Sequence, residues 1–377
     1  MLVTNRTLVP ERVDALLQRC RRDIDEGSLP SCQVALALDG EIVVNEAFGE
    51  ADTDTRYAVF SSTKPFIASV MWQLIAEGLV DPAQRVVEFL PEFGTNGKDV
   101  ITVEQVMLHT SGFPAAPLGP PEWSTSAGRR EVFARWRLNW APGTAFEYHP
   151  TSAHWVLAEI IIEVTGRDYR DVLEERVTKP LGLPRVLGLH AREQHHIAIL
   201  ELSGEPASPD ELEKTLGIRE LPVTEVTDAA LLSFNHQDNR EVGVPGGGGI
   251  MRAADLAMFY QALMHNQEKL WDPSLLDDVT SRVRNTFPDP MTRTPANRAL
   301  GVVVAGDDGL SHMRGMGHTV SPRAFGHNGA AGQIAWADPA TGLSLGYCTN
   351  GIDANLIRQW RRGSAVASYA ASCTTPI

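Results

Sequence analysis

The sequence predicts a mixed α/β fold: one sheet built from both chain ends and flanked by helices, with a mostly helical domain inserted between them. Three observations predict it. A hairpin signal stands near the N-terminus, strand-like runs return in the last third, and long amphipathic helices lie between. The 377 residues leave room for two structural lobes. The α/β domain is placed at residues 1–95 and 241–377, and the helical domain at 96–240.

Residues 10–26 read as an amphipathic helix. Pro10 suits its first turn, Val13, Leu16, Leu17 and Ile24 recur at helical spacing, and Gly27 stops it. Residues 32–38 and 41–48 are rich in valine and alanine, and Asp39-Gly40 between them is a strong two-residue turn. Residues 65–77 form the strongest helix. Phe66, Ile67, Val70, Met71, Leu74 and Ile75 repeat as adjacent pairs every four residues, a stripe wide enough for a buried face. A short helix is expected over 102–108 and a surface loop rich in Pro, Gly and Ser over 114–127. A second long helix starts near Ser152, carries Trp155, Leu157, Ile160, Ile161 and Val164, and closes at Gly166. Residues 200–240 are acidic, weakly patterned and carry no assignment. Residues 300–305, 333–337 and 343–349 read as extended, with Asp338-Pro339 and Thr341-Gly342 turning between the last two. A final helix over 353–371 carries Leu356, Ile357, Trp360 and Val366.

Composition excludes several classes of function. Lysine and arginine number 33 against 47 aspartates and glutamates, a net charge of −14. That balance repels phosphate backbones and anionic bilayers, so neither nucleic acid nor a membrane is expected as partner. No run of about 18 apolar residues occurs, so no transmembrane helix is expected. The N-terminus lacks the basic-then-apolar pattern of a secretory signal. Cys20, Cys32, Cys348 and Cys373 have neither CxxC spacing nor the density of a disulfide scaffold and read as free thiols. A cytoplasmic location is expected.

Three sites can carry chemistry. Ser61-Ser62-Thr63-Lys64 stands directly before the Phe66 helix. A serine hydroxyl is a poor nucleophile until its proton is removed, and Ser at i with Lys at i+3 share one face of a helical turn. The helix N-terminus adds unpaired N–H groups and a positive field. A lysine serves as base near neutral pH only where burial or neighbouring cations make it less basic. The plain alternative is a capped helix start with a solvated lysine. The second site is Phe146-Glu147-Tyr148-His149-Pro150, in which Tyr148 faces the first site as acid/base partner or simply packs in a turn. The third is Gly326-His327-Asn328-Gly329-Ala330-Ala331-Gly332 before the 333–337 strand. Small residues there let a strand edge approach a ligand, and an N–H on that edge completes an oxyanion hole with the N–H of Ser61. The alternative is a glycine-rich turn.

Two further patterns are set aside. Gly342-Leu343-Ser344-Leu345-Gly346 matches GxSxG, but its flanks read as one strand and no histidine follows residue 327. Gly246–Gly249 lacks the Lys-Ser/Thr of a phosphate loop, and His190, His195 and His196 contain no HExxH.

In their order and wide spacing the three sites resemble the serine β-lactamase and penicillin-binding-protein superfamily, and most closely its class C-like branch with the family VIII carboxylesterases. Leu108-His109-Thr110-Ser111-Gly112, Ala141-Pro142-Gly143-Thr144, Lys179-Pro180-Leu181-Gly182, Gly246–Arg252 with Asp255-Leu256-Ala257, and Thr349-Asn350-Gly351 resemble further landmarks, so the likeness covers nearly the whole chain. The resemblance implies an antiparallel sheet with flanking helices and an inserted helical domain. It implies Ser61 as the acyl-accepting nucleophile, Lys64 and Tyr148 as the pair that shuttles its proton, and the N–H groups of Ser61 and Ala330 as the oxyanion hole. His327 and Gly329 belong to the substrate-binding edge. No metal and no cofactor is implied.

Two departures bear on the substrate. The family's second motif often ends in Asn, whose amide holds a substrate amide; here it ends in Pro150. The third motif of lactamases is Lys-Thr-Gly, whose cation holds a substrate carboxylate; here it is His327-Asn328-Gly329, with a weaker and pH-dependent charge. Both changes weaken recognition of β-lactams and D-Ala peptides and are compatible with a neutral ester. The expected function is a serine carboxylesterase with a small-molecule ester substrate. Alternatives are an acyltransferase of secondary metabolism, a D-amino-acid amidase or weak β-lactamase, and an acylated sensor without turnover. Phe113, Trp123, Trp136 and Trp140 either line an acyl pocket or pack the helical lobe.

Overall fold

Asp39 and Gly40 turn the chain between the strands Ser31–Leu38 and Glu41–Gly49, which pair antiparallel. The first is buried along its whole length, while the second keeps an exposed face and forms the sheet edge. On its other side Ser31–Leu38 receives Leu343–Thr349 from the far end of the chain. Ile334–Asp338, Phe325–Gly326 and Val303–Val304 then follow outward, giving a six-stranded antiparallel sheet built from both chain ends. The computed structural model describes residues 7–221 and 226–374; the reading of the N-terminal leader falls in part on residues 1–6, outside the described residues.

Each face of the sheet is covered by helices, as a sheet with apolar residues on both faces requires. Pro10–Asp25 and Leu356–Ala371 close one side, where Leu16, Cys20, Val366 and Ala370 meet Val34, Trp336 and Leu345. Ala253–His265 and Lys64–Ala76 close the other. That second core runs on into Val103–Met107, Ser126–Arg135 and Ser152–Thr165. The 65–77 stripe predicts one buried face, but the helix is buried on all sides from Lys64 to Leu74. It sits between the sheet-side helix, where Phe66 stacks on Phe259 at 3.8 Å, and the helices of the middle region.

Several expectations change. The 300–305 stretch is a strand only over Val303–Val304, because the chain turns before it: Gly301 has φ +107°, and the Gly301 N–H donates to the Ala299 carbonyl at 2.8 Å. The 114–127 loop ends in an unanticipated helix, Ser126–Arg135. The unassigned 200–240 stretch holds a strand, Glu201–Ser203, parallel to Gly351–Asp353, and the helices Pro209–Leu216, Asp228–Leu232 and Gln237–Val242. A short antiparallel pair, Tyr57–Phe60 with Gly249–Met251, leads straight into the first candidate site. Among the described residues no helix is long and apolar enough to cross a membrane, and all four cysteines are buried and free.

Candidate active site

The strand Tyr57–Phe60 ends at Phe60 with φ +45°, and the chain turns at once into a 3₁₀ turn, Ser61–Thr63, and the Lys64–Ala76 helix. A bulky residue at positive φ costs on the order of 1–3 kcal/mol and persists only where its surroundings over-determine it. Here Thr63 supplies that constraint. Its hydroxyl donates to the Phe60 carbonyl at 2.6 Å and accepts from the Gly249 N–H at 2.8 Å. Ser61 is left partly exposed at the turn, and Lys64 one turn on is fully buried.

Lys64 Nζ has three acceptors: the carbonyls of Pro150 and Gly246, both at 2.6 Å, and Ser61 Oγ at 3.2 Å. An ammonium donates three hydrogen bonds, so this seat is fully satisfied. A neutral amine keeps both carbonyl bonds and turns its lone pair to the serine hydroxyl. Gly246 belongs to the glycine run set aside above as a phosphate loop. Its real position explains the glycine: a Cβ there would lie 2.9 Å from the Pro150 carbonyl and 3.3 Å from His154 Cβ.

Tyr148 lies beside Lys64, whose Nζ is 4.9 Å from its ring centroid. Its loop is pinned by the His109–Gly112 segment. His149 donates from Nδ1 to the Glu147 carbonyl at 2.7 Å, and its Nε2 accepts from the Phe113 N–H at 3.2 Å and meets Ser111 Oγ at 3.0 Å. The His149 N–H donates to His109 Nδ1 at 3.1 Å, and the His109 ring lies 4.9 Å from that of Tyr148. Burial keeps these histidines neutral: His149 is pushed down to about 3, and His109 and His154 fall well below the ordinary range for the same first reason.

The third motif packs against the strand that leads into Ser61. A Cβ on Gly329 would come within 2.2 Å of the Val59 carbonyl, so only glycine permits that approach. Ala330 packs partly buried against the small core that holds Phe60. His327 is buried, its ring 5.8 Å from that of Tyr148. The expectation of a pH-dependent charge at His327 is corrected. Burial first, then Arg298 and Lys64, push its pKa well below the usual value, so it is a neutral acceptor. Its Nδ1 is 2.9 Å from the Asn328 carbonyl, which makes Nε2 the acceptor for Arg298 Nη1 at 3.3 Å. Ser61, Lys64, Tyr148, His327, Gly329 and Ala330 thus converge. The carbonyls of Pro150 and Gly246 and the side chain of Arg298 are additions that the sequence reading did not contain.

Other readings resolve plainly. Ser344 is buried within a strand and donates to the Ala257 carbonyl at 2.8 Å. Phe113 and Trp136 are buried and stacked on each other at 5.6 Å, so they pack the helical region rather than line an acyl pocket. Among the described residues no group of three or more His, Cys, Asp or Glu is placed to hold a metal ion.

Comparison with known proteins shows the family and the fold. The Beta-lactamase family matches residues 11–364. The chain is 27% identical to the Esterase/beta-lactamase LipL of Mycobacterium tuberculosis, over 84% of this chain and 76% of LipL. Its fold is similar to the crystal structure of a family VIII carboxylesterase, with TM-score 0.76 and 25% identity over 96% of this chain and 97% of that one. A penicillin-binding-protein homolog from Caulobacter crescentus is similar to the same degree, with TM-score 0.76 and 25% identity over 97% and 99% of the two chains.

Proposed function

The chain belongs to the beta-lactamase family of serine hydrolases, and on that premise we propose that it is a serine carboxylesterase working through an acyl-enzyme on Ser61. Ser61 Oγ attacks the ester carbonyl carbon while the Lys64–Tyr148 pair takes the hydroxyl proton. The N–H groups of Ser61 and Ala330 hold the oxyanion of the tetrahedral intermediate. Collapse breaks the bond to the alcohol, which leaves with the proton returned by the pair. Water then attacks the acyl carbon, the pair takes its proton, and the acid departs as Ser61 regains a proton. These steps need no metal and no cofactor.

The observation that carries the proposal is the seat of Lys64. Two carbonyls at 2.6 Å fix the amine so that its remaining tetrahedral position meets Ser61 Oγ at 3.2 Å. Two features favour an ester over an amide. Pro150 offers no side-chain amide to a peptide substrate, and His327 is neutral where lactamases carry a lysine. The test is a panel of 4-nitrophenyl esters, acetyl through decanoyl, with wild type and Ser61→Ala in parallel. Turnover that needs Ser61 supports the esterase, and its chain-length optimum sizes the acyl site. Turnover retained by Ser61→Ala overturns it. Added alcohols that divert the acyl group to new esters would mark an acyltransferase instead.

A further inference from the structure

We propose that Gln333 is a positioning residue of the oxyanion hole: its side-chain amide stands in for a main-chain peptide of the sheet and so releases the chain at Ala330 toward Ser61. This rests on the reading of the Ala330 N–H as an oxyanion donor given above. Ile334 pairs with Tyr347, and the same register carried two residues further sets Gly332 opposite Thr349. Alternate antiparallel pairs exchange both main-chain hydrogen bonds, so Thr349 turns its N–H and C=O to that place. Gly332 does not fill it. The chain leaves the sheet there in a turn over Ala330–Gly332, with Ala331 at φ +56° and Gly332 at φ +89°.

Gln333 fills it with its side chain. Nε2 donates to the Thr349 carbonyl at 2.8 Å, and Oε1 accepts from the Thr349 N–H at 3.1 Å. A peptide group makes the same two-point exchange, and these partners fix which end of the amide is oxygen and which is nitrogen. The second N–H of Nε2 reaches the Ala331 carbonyl at 3.5 Å. The Gln333 main chain closes the same turn. Its carbonyl accepts from the Gly329 N–H at 3.0 Å, and its N–H donates to the Ala330 carbonyl at 3.4 Å. Gln333 and Thr349 are both buried, so without this amide the N–H and C=O of Thr349 would be buried and unpaired.

Two other buried glutamines bridge main chain differently. Gln33 takes the carbonyls of Asp52 and Thr55 and the N–H of Ala253, and Gln261 takes those of Ala37 and Gly342 and the N–H of Gly40. Each ties separate segments together. Gln333 takes donor and acceptor from one residue, as a strand neighbour would, and thereby frees the residues beside it. A left-handed alanine persists only where its surroundings hold it, and Gln333 supplies that hold at Ala331. Held in this turn, the Ala330 N–H has no acceptor among the described residues, as an oxyanion donor requires. Its neighbour Gly329 lies against Val59, two residues before Ser61.

The test compares wild type, Gln333→Met and Gln261→Met on 4-nitrophenyl butyrate. Gln333→Met keeps the length of the side chain and loses the amide, and Gln261→Met removes a buried amide at the Gly40 turn instead. Affinities for propyl trifluoromethyl ketone and for butyrate are measured beside kcat and KM. Ser61 Oγ adds to the ketone carbonyl, its proton passes to the Lys64–Tyr148 pair, and the new oxyanion enters the hole; butyrate forms no such adduct. In Gln333→Met we expect kcat and ketone affinity to fall together by about 10–100-fold, with KM and butyrate affinity changed less. Gln261→Met should keep the wild-type ratio of the two affinities. Wild-type kcat in a folded Gln333→Met, ketone and butyrate weakened alike, or the same selective loss in Gln261→Met overturns the proposal. If Gln333→Met does not fold, Gln333→Asn, one methylene shorter, is judged by the same criteria. If wild type turns over no ester, the esterase reading fails separately, and Gln333 is judged by the ketone alone. Weaker ketone binding in the variant then supports it, and equal binding or none overturns it.

Discussion

Pro150 and Lys64 are joined through the backbone, the proline carbonyl accepting from the lysine Nζ at 2.6 Å. The residue that costs the second motif its side-chain amide thus still places the lysine beside Ser61. The Gly246 carbonyl does the same at the same distance. Backbone carbonyls accept from an ammonium and from an amine alike, so this seat serves both protonation states of a proton shuttle.

Lys64→Ala should lower kcat on 4-nitrophenyl butyrate by about 10²–10⁴-fold, the range of a lost acid/base group. Lys64→Arg should not restore it, because a guanidinium stays protonated. Steady-state kinetics beside a circular dichroism spectrum check this. Near wild-type rates in Lys64→Arg would mean that Lys64 supplies only charge.

Gly246→Ala would press a methyl group to 2.9 Å from the Pro150 carbonyl, separating the two anchors of Lys64. We expect kcat to fall about 10–100-fold, as for misplacement by a fraction of an ångström to an ångström, with KM changed less. Wild-type kcat in a folded Gly246→Ala enzyme would show that the anchor is not limiting.

Gly329→Ala meets backbone rather than a flexible side chain, with the Val59 carbonyl 2.2 Å from the new Cβ. Overpacking of this kind costs about 1–3 kcal/mol. Urea titration should show a lower midpoint with the slope unchanged. An unchanged midpoint would place Gly329 outside a tight contact.

Stability should fall as pH drops below about 6.5, well before the carboxylates titrate. His109, His149, His154 and His327 are buried neutral with pKa values lowered first by burial. Between about 6.5 and those lowered values the unfolded chain binds more protons than the native one, so stability rises with pH across that window. Each such histidine contributes a slope approaching about 1.4 kcal/mol per pH unit. Urea midpoints at pH 7.5 and 5.5 measure it. Equal midpoints would mean that the cluster is not held neutral.

What could be read from the sequence was local. Ser61 and Lys64 stand three apart before a periodic helix, and Asp39-Gly40 sits between two runs rich in valine and alanine, so one turn of geometry sufficed in each case. Arg298 and His327 are 29 residues apart, and a lone arginine in an irregular stretch has no local signature. The carbonyls of Pro150 and Gly246 have none either, because a main-chain acceptor is the same for every residue. The helix Ser126–Arg135 escaped for a different reason. It is anchored by polar contacts, with Arg129 and Arg130 at 2.6 and 3.0 Å from the buried Glu159, so the usual apolar stripe is missing. Tyr57–Phe60 is a strand of four residues, too short for alternation to register.

The central claim is the covalent intermediate on Ser61, and it can be caught directly. Wild type and Ser61→Ala would be mixed with 4-nitrophenyl butyrate, quenched in acid during turnover, and examined by intact mass and peptide mapping. One butyryl group on the peptide that contains Ser61, present in wild type and absent from Ser61→Ala, is the predicted result. Full turnover with no adduct at any time of quenching, or an adduct that persists in Ser61→Ala, would contradict it.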